Sequence, residues 1–254
     1  MSSGRARLQG AFIMAEQTTL RCGLPLLQPA QAQKHVTVNE ALMRLDGLVN
    51  LVLQSVTTAA PPATVTDGLC FAVPFAASGA WAGQDGRIAV GSNGGWVFVA
   101  PSRGQQAFVA DRGVTAIWTG SAWAVGALTM GAFGAGLSAG LIEADVAVAA
   151  GTGFASGVKV PAHSLIVGVT ARVTEAITGT LTSWSLGTAA DAGQFGSGLG
   201  KGLNSWAQGL LSAPMAVYAP LELRLTATGG AFAGGRVRIA VHTLALRLPD
   251  PVAA

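Results

Sequence analysis

Period-two alternation dominates the last third of the chain. "LELRLT" (221–226) sets Leu221, Leu223 and Leu225 against Glu222, Arg224 and Thr226, and "RVRIAVH" (236–242) sets Val237, Ile239 and Val241 against Arg236, Arg238 and His242. "LIVGVTARV" (165–173) sets Leu165, Val167, Val169, Ala171 and Val173 against Ile166, Gly168, Thr170 and Arg172. Such one-sided alternation predicts antiparallel strands with one face covered. "TGGAFAGG" between the last two strands reads as a hairpin loop. No strand leads into a helical pattern, which argues against a parallel α/β fold. Several such strands in sequence predict an antiparallel β-sandwich over 143–254, jelly-roll-like in class.

The period changes near the N-terminus. Thr37 and Glu40 have the spacing of a capping box, and Val38, Leu42, Leu45, Val49, Val52 and Val56 follow at intervals of four and three. The pattern predicts one amphipathic helix that stops before Pro61-Pro62. Its apolar seam fits either packing on the chain's own sheet or a short homo-oligomeric bundle, and those six residues are the candidate oligomerisation face. Ahead of it, residues 1–23 read as a flexible or partner-bound arm. Leu24, Leu26, Leu27 and Pro29 read as an extended anchoring segment, so 24–60 forms an anchoring and oligomerisation element. Between 61 and 125, turn pairs such as Asp67-Gly68, Asp85-Gly86, Asn93-Gly94 and Arg112-Gly113 separate short apolar runs, predicting a small β-hairpin module. The Gly/Ala-rich stretch 126–142 reads as a linker or a loosely paired strand. The expected fold is mainly β.

Composition narrows the functional classes. Half the residues are hydrophobic, only 11% are charged, and 35 are glycine. That balance excludes disorder, which needs low hydrophobicity and high charge. A surface with so few charges suits a symmetric oligomer that hides part of it. A net charge of +3 without a Lys/Arg run gives no reason to expect nucleic acid. The two cysteines and three isolated histidines form no disulfide framework and no metal-ligand spacing, so neither metal nor cofactor is expected. "AFIMA" is too short for a signal peptide, which implies synthesis in the cytoplasm. "AVGALTMGAFGAGLSAGLI" (124–142) is long enough to span a bilayer, but its glycines and small residues insert poorly, and no membrane insertion is expected.

Catalytic motifs fail on context. "GLSAG" (136–140) matches a nucleophile elbow around Ser138, with Asp191 and His242 in hydrolase order, but lies in a β region without the strand–turn–helix the motif needs. "FGSGLGKGL" (195–203) lacks both the leading glycine and the Ser/Thr of a phosphate loop. The carboxylates of the β region are scattered, and no catalytic residue is assigned. The aromatics suggest binding instead. Trp184 and Trp206 flank the loop "GTAADAGQFGSGLGKGLNS", which carries Asp191, Gln194 and Asn204. Aromatic faces stack on sugar rings while amides and carboxylates bond their hydroxyls, so Trp184, Asp191, Gln194, Asn204 and Trp206 form a candidate glycan site. The competing reading makes both tryptophans core anchors.

"LPLLQPAQAQKHVTVNEALMRLD", followed in order by "GAWAGQDGRIAV", "GGWVFVAP" and "WTGSAW", resembles an uncharacterised N-terminal domain family of prophage tail-fibre-like and gene transfer agent head-spike proteins. The C-terminal half, with "VPAHSLIVGVTARVTEAITG" and "YAPLELRLTATGGAFAGGRVRIAVHTL", is similar to the β domain often attached in them. The resemblance implies a non-enzymatic spike or fibre on the surface of a phage-like particle. Its N-terminal part would dock on a capsid vertex or another particle protein and assemble as a threefold or fivefold homo-oligomer. Its C-terminal domain would bind host capsular polysaccharide. Two alternatives remain open: a spike-base adaptor that only holds another fibre protein, and a capsule depolymerase.

Overall fold

The computed structural model describes residues 17–27 and 34–250. The chain divides into two units, Met1–Ala100 and Pro101–Ala254. The fold is mainly β, as the alternation predicts.

In the first unit, helix α1 spans Lys34–Leu48. It starts ahead of the expected capping box, so Thr37 sits within the helix, and Glu40 instead accepts a hydrogen bond from the Arg44 guanidinium at 2.7 Å. It also ends sooner than expected. Asn50 takes a left-handed conformation (φ 46°), Val52 lies in strand β1 (Val52–Leu53), and Val56 lies in the bend beyond. Val52 and Val56 therefore leave the predicted seam. The cause is a competing period: Leu51 and Leu53, 4% and 0% exposed, alternate into the core as a strand requires. The helix buries Met43, Asp46 and Gly47, while Val38, Leu45 and Val49 are exposed and Leu42 is half-buried. Gly47 permits close approach to the sheet, because a Cβ there would come within 2.8 Å of Val90 Cγ1.

Strands β2 (Cys70–Ala72), β3 (Ile88–Ser92) and β4 (Gly95–Val99) complete the order β4-β3-β2-β1. β1 and β2 run parallel, and the other pairs are antiparallel. Asn93 and Gly94, both at positive φ, make the two-residue turn between β3 and β4. The motif tryptophans have a packing role: Trp81 and Trp96 meet edge-on with centroids 5.2 Å apart, and Phe71 closes the trio.

Residues 17–23 are not a free arm. Thr18 bridges Pro25, and the fully buried Asp46 carboxylate accepts from the Thr19 hydroxyl at 2.8 Å, the Arg21 N–H at 3.1 Å and the Cys22 N–H at 2.6 Å. The Arg21 guanidinium donates to the carbonyls of Asp46, Gly47 and Asn50, capping the helix end where carbonyls lack intrahelical partners. Burial pushes the Asp46 carboxyl up, but the Cys22, Thr19 and Arg21 donors outweigh it and hold the group below the usual carboxylate range. Of the anchoring residues, Leu24 and Leu26 are half-buried and Leu27 is exposed. Pro29 and residues 1–16 lie outside the described residues.

The second unit begins with an antiparallel meander, β5 (Gln106–Val109), β6 (Val114–Trp118) and β7 (Trp123–Val125). Eight strands follow: β8 (Gly136–Ala147), β9 (Gly153–Val160), β10 (Ser164–Gly179), β11 (Ser183–Gly187), β12 (Gly196–Leu199), β13 (Trp206–Val217), β14 (Leu221–Thr228) and β15 (Phe232–Arg247). They form two antiparallel sheets, β13-β10-β15-β8 and β12-β11-β14-β9. Counted within the domain, these orders are 6-3-8-1 and 5-4-7-2, the double Greek key of a jelly roll. Both sheets feed one core, with Ile166, Val169, Ile239 and Val241 from the first and Trp184, Leu186, Leu223 and Leu225 from the second.

Two expectations need correction here. Of residues 126–142, the part from Gly136 is a strand and not a linker: it is β8, paired without a break to β15, and Ala139 donates back to the Gly126 carbonyl, while 126–135 connects β7 to β8. Ser138 lies within that strand, opposite Ala245, so "GLSAG" forms no elbow. The alternation in β10 also changes phase. A register shift between Ile166 and Gly168 makes Ile166 a core residue and leaves Leu165 and Val167 only half-buried. Among the described residues no helix is long and apolar enough to cross a membrane.

Candidate functional site

The five expected glycan residues do not converge. Trp184 is 1% exposed and donates its Nε1–H to the Gly200 carbonyl at 2.9 Å, so it is a core residue with no face for a sugar. Asp191 closes its own turn, accepting from the Gly193 N–H at 2.9 Å. Gln194 accepts from Thr188 and points its amide at Met215 Sδ. Met215 pairs with Ile166 whereas Trp206 pairs with Arg172, which separates Gln194 from Trp206 by about 20 Å along the sheet. Asn204 stays near Trp206, at the turn into β13, with φ 66° and its carbonyl 3.4 Å from Arg172 Nη1.

Trp206 belongs to a different constellation. It is 63% exposed and faces outward from the first sheet. The strand registers define two rows across that face. One runs Asp145–Arg238–Arg172–Trp206, and the next Glu143–Ala240–Thr170–Gln208. Ala240 contributes only a methyl group in the middle of the second row, leaving a depression of about 530 Å³ bordered by Trp206, Gln208, Arg172, Arg238 and Glu143. Directly opposed side chains on one face sit about 5 Å apart, so each neighbour in a row is within reach of one small ligand.

The charges in this depression are unevenly matched. Asp145 binds Arg238 with both oxygens, at 2.8 and 2.7 Å. The Arg238 hydrogen bond holds the Asp145 carboxyl below its ordinary range, and the same bond holds the guanidinium protonated. Arg172 stands directly across from Arg238, and among the described residues its side chain makes just the long contact to the Asn204 carbonyl. Thr170 Oγ1 lies 3.2 Å from His242 Nε2. Thr174 Oγ1 borders the depression, is buried, and has no hydrogen-bond partner among the described residues. The arrangement offers an aromatic face, an amide, hydroxyls and a guanidinium to one flat polar ligand. Among the described residues no cluster of His, Cys, Asp or Glu has the grouping of a metal site.

Arg172, Arg238, Thr170, Gln208 and Glu143 were absent from the sequence candidates. Their signal was the polar half of the alternation in "LIVGVTARV" and "RVRIAVH", and their adjacency depends on the strand order.

Fold and face together define a jelly-roll module with a polar, tryptophan-edged depression on the outer sheet. Residues 38–124, comprising most of α1 and strands β1 to β6, match the family described as "Protein of unknown function (DUF2793)". Among solved structures, a chain of the cyanophage Pam1 capsid asymmetric unit is 22% identical, with a TM-score of 0.34, covering 47% of this chain and 91% of that one. No curated protein matches the chain.

Proposed function

We propose that this chain is a structural surface protein of a phage-like particle, such as a gene transfer agent spike. Its jelly roll binds a host-surface polysaccharide without cleaving it. The observation that carries the reading is the exposed Trp206, beside Gln208, Thr170 and Arg172, at the edge of a depression sized for about one or two sugar residues. A sugar's C–H face stacks on the indole while its hydroxyls meet the amide and threonine. The motif resemblance over the first half supports a role on a particle. Val38, Leu45 and Val49 support docking there, since a lone chain leaves them in solvent. One such site binds weakly, and a symmetric set of copies raises avidity by orders of magnitude without new contacts.

The test is adsorption of the purified protein, presented multivalently, to encapsulated and capsule-deficient cells. Capsule-dependent adsorption lost in Trp206→Ala supports the reading. Adsorption that ignores either the capsule or the substitution refutes it. If the capsule is ignored but a neighbouring particle protein is captured through the first unit, the chain is an adaptor. A fall in polymer viscosity on incubation would make it a depolymerase.

A further inference from the structure

We infer that the depression recognises the carboxylate of an acidic sugar, with Arg172 as the reading group. This rests on the glycan-binding reading above and specifies the chemistry of its ligand. Arg172 and Arg238 are direct cross-strand partners on the outer face. Like charges in that relation destabilise a sheet. Arg238 is relieved by the bidentate Asp145 on its other side, but that carboxylate is fully engaged and lies one strand too far for Arg172. Arg172 is thus the cation of the Asp145–Arg238–Arg172–Trp206 row without a carboxylate partner among the described residues, and it adjoins the aromatic edge.

A carboxylate at Arg172 removes that imbalance. Its planar geometry suits a guanidinium, which donates two parallel hydrogen bonds. A sugar ring bearing the acid then lies over the neighbouring indole, across which Arg172 and Trp206 are paired. A second observation points the same way. Thr174 Oγ1, at the border of the depression, is buried and has no hydrogen-bond partner among the described residues. Buried hydroxyls are ordinarily satisfied, by protein, water or ligand. Glu143 stands three strands from Gln208, about 14 Å away. It therefore gives the site a direction: the acid group binds at the Arg172 end, and the hydroxyls of a neighbouring residue at the Glu143 end.

The experiment titrates the full chain with a panel of uronate and nonulosonate oligosaccharides and with the methyl ester of each. The ester keeps the ring and the hydroxyls and removes the charge. The acid forms should bind on the order of tenfold tighter than their esters. Arg172→Gln should bring the acid-to-ester affinity ratio down to about one, Arg172→Lys should restore part of the difference, and Trp206→Ala should weaken both forms. Circular dichroism of each variant confirms folding. Equal affinity for acid and ester, both dependent on Trp206, overturns this inference and leaves the glycan reading intact. Binding of neither form overturns both.

Discussion

Replacing Asp46 by alanine should release the segment 17–27 from the first unit. The wild-type carboxylate accepts three hydrogen bonds, two of them from the backbone of Arg21 and Cys22. A hydrogen bond to a charged group contributes about 1.5–3 kcal/mol, and a buried donor left without a partner costs a similar amount. The released N–H groups escape to water once the segment lifts, so the loss is capped near about 2–4 kcal/mol. Asp46→Asn keeps the shape and one acceptor oxygen, and should lose about half as much. Urea unfolding followed by tryptophan fluorescence measures the loss, and amide exchange at Arg21 and Cys22 locates it. A chemical readout accompanies these. The Asp46 carboxylate comes first among the causes that raise the Cys22 thiol above its ordinary value, so its removal should speed alkylation of this exposed cysteine at pH 8. An unfolding free energy within about 0.5 kcal/mol of wild type, with unchanged exchange and alkylation, would refute the latch.

Further outcomes follow from the same structure. Because the Asp46 carboxyl is depressed in the folded state, its contribution is full above the unfolded value near 3.8 and is lost as pH falls through the lower folded value. Acid unfolding of wild type should therefore be steeper than that of Asp46→Asn when both are followed by urea midpoints. Trp184→Ala should cost about 3–5 kcal/mol by emptying the jelly-roll core, whereas Trp206→Ala should change stability by less than about 0.5 kcal/mol. Thermal melts of the two variants separate the core indole from the ligand-facing one. Gly209→Ala should cost about 1–3 kcal/mol, because the added Cβ would overlap the Phe195 carbonyl, and calorimetry would register it. Burial pushes the Cys70 thiol up to about 11, so it should stay unlabelled by iodoacetamide at pH 8 in the native protein.

The two tryptophans show where sequence was legible and where it was not. Both flank one loop and looked alike as aromatic anchors. Their immediate neighbours differ, though. Trp184 shares its face with Leu186, both buried, whereas Trp206 shares its face with the exposed Gln208 and alternates with the buried Ala207. Period-two reasoning applied to "SWSL" and "WAQ" would have separated them. The same reasoning correctly oriented β14 and β15, where Leu223, Leu225, Val237, Ile239 and Val241 are all buried, and it failed in β10 where the register shifts between Ile166 and Gly168. The helix was overextended because Val49, Val52 and Val56 keep heptad spacing by coincidence across a turn that Asn50 makes. The arm was invisible for a different reason. Its contacts join residues separated by about 25 positions through a buried carboxylate, and one acidic residue on a helix carries no mark of its burial. The binding face needed the sheet order, because its rows draw on strands far apart in the chain.

The pairing of the first and last jelly-roll strands has a mechanical consequence. Gly136, where the chain enters the domain, is the register partner of Arg247, where it leaves. The first residue of β8 and the last of β15 therefore lie at one corner, and Asp145, in the Arg172–Trp206 row, lies about 30 Å further along β8. Tension along the chain enters at β8, whose full ladder with β15 would have to open before the core is reached.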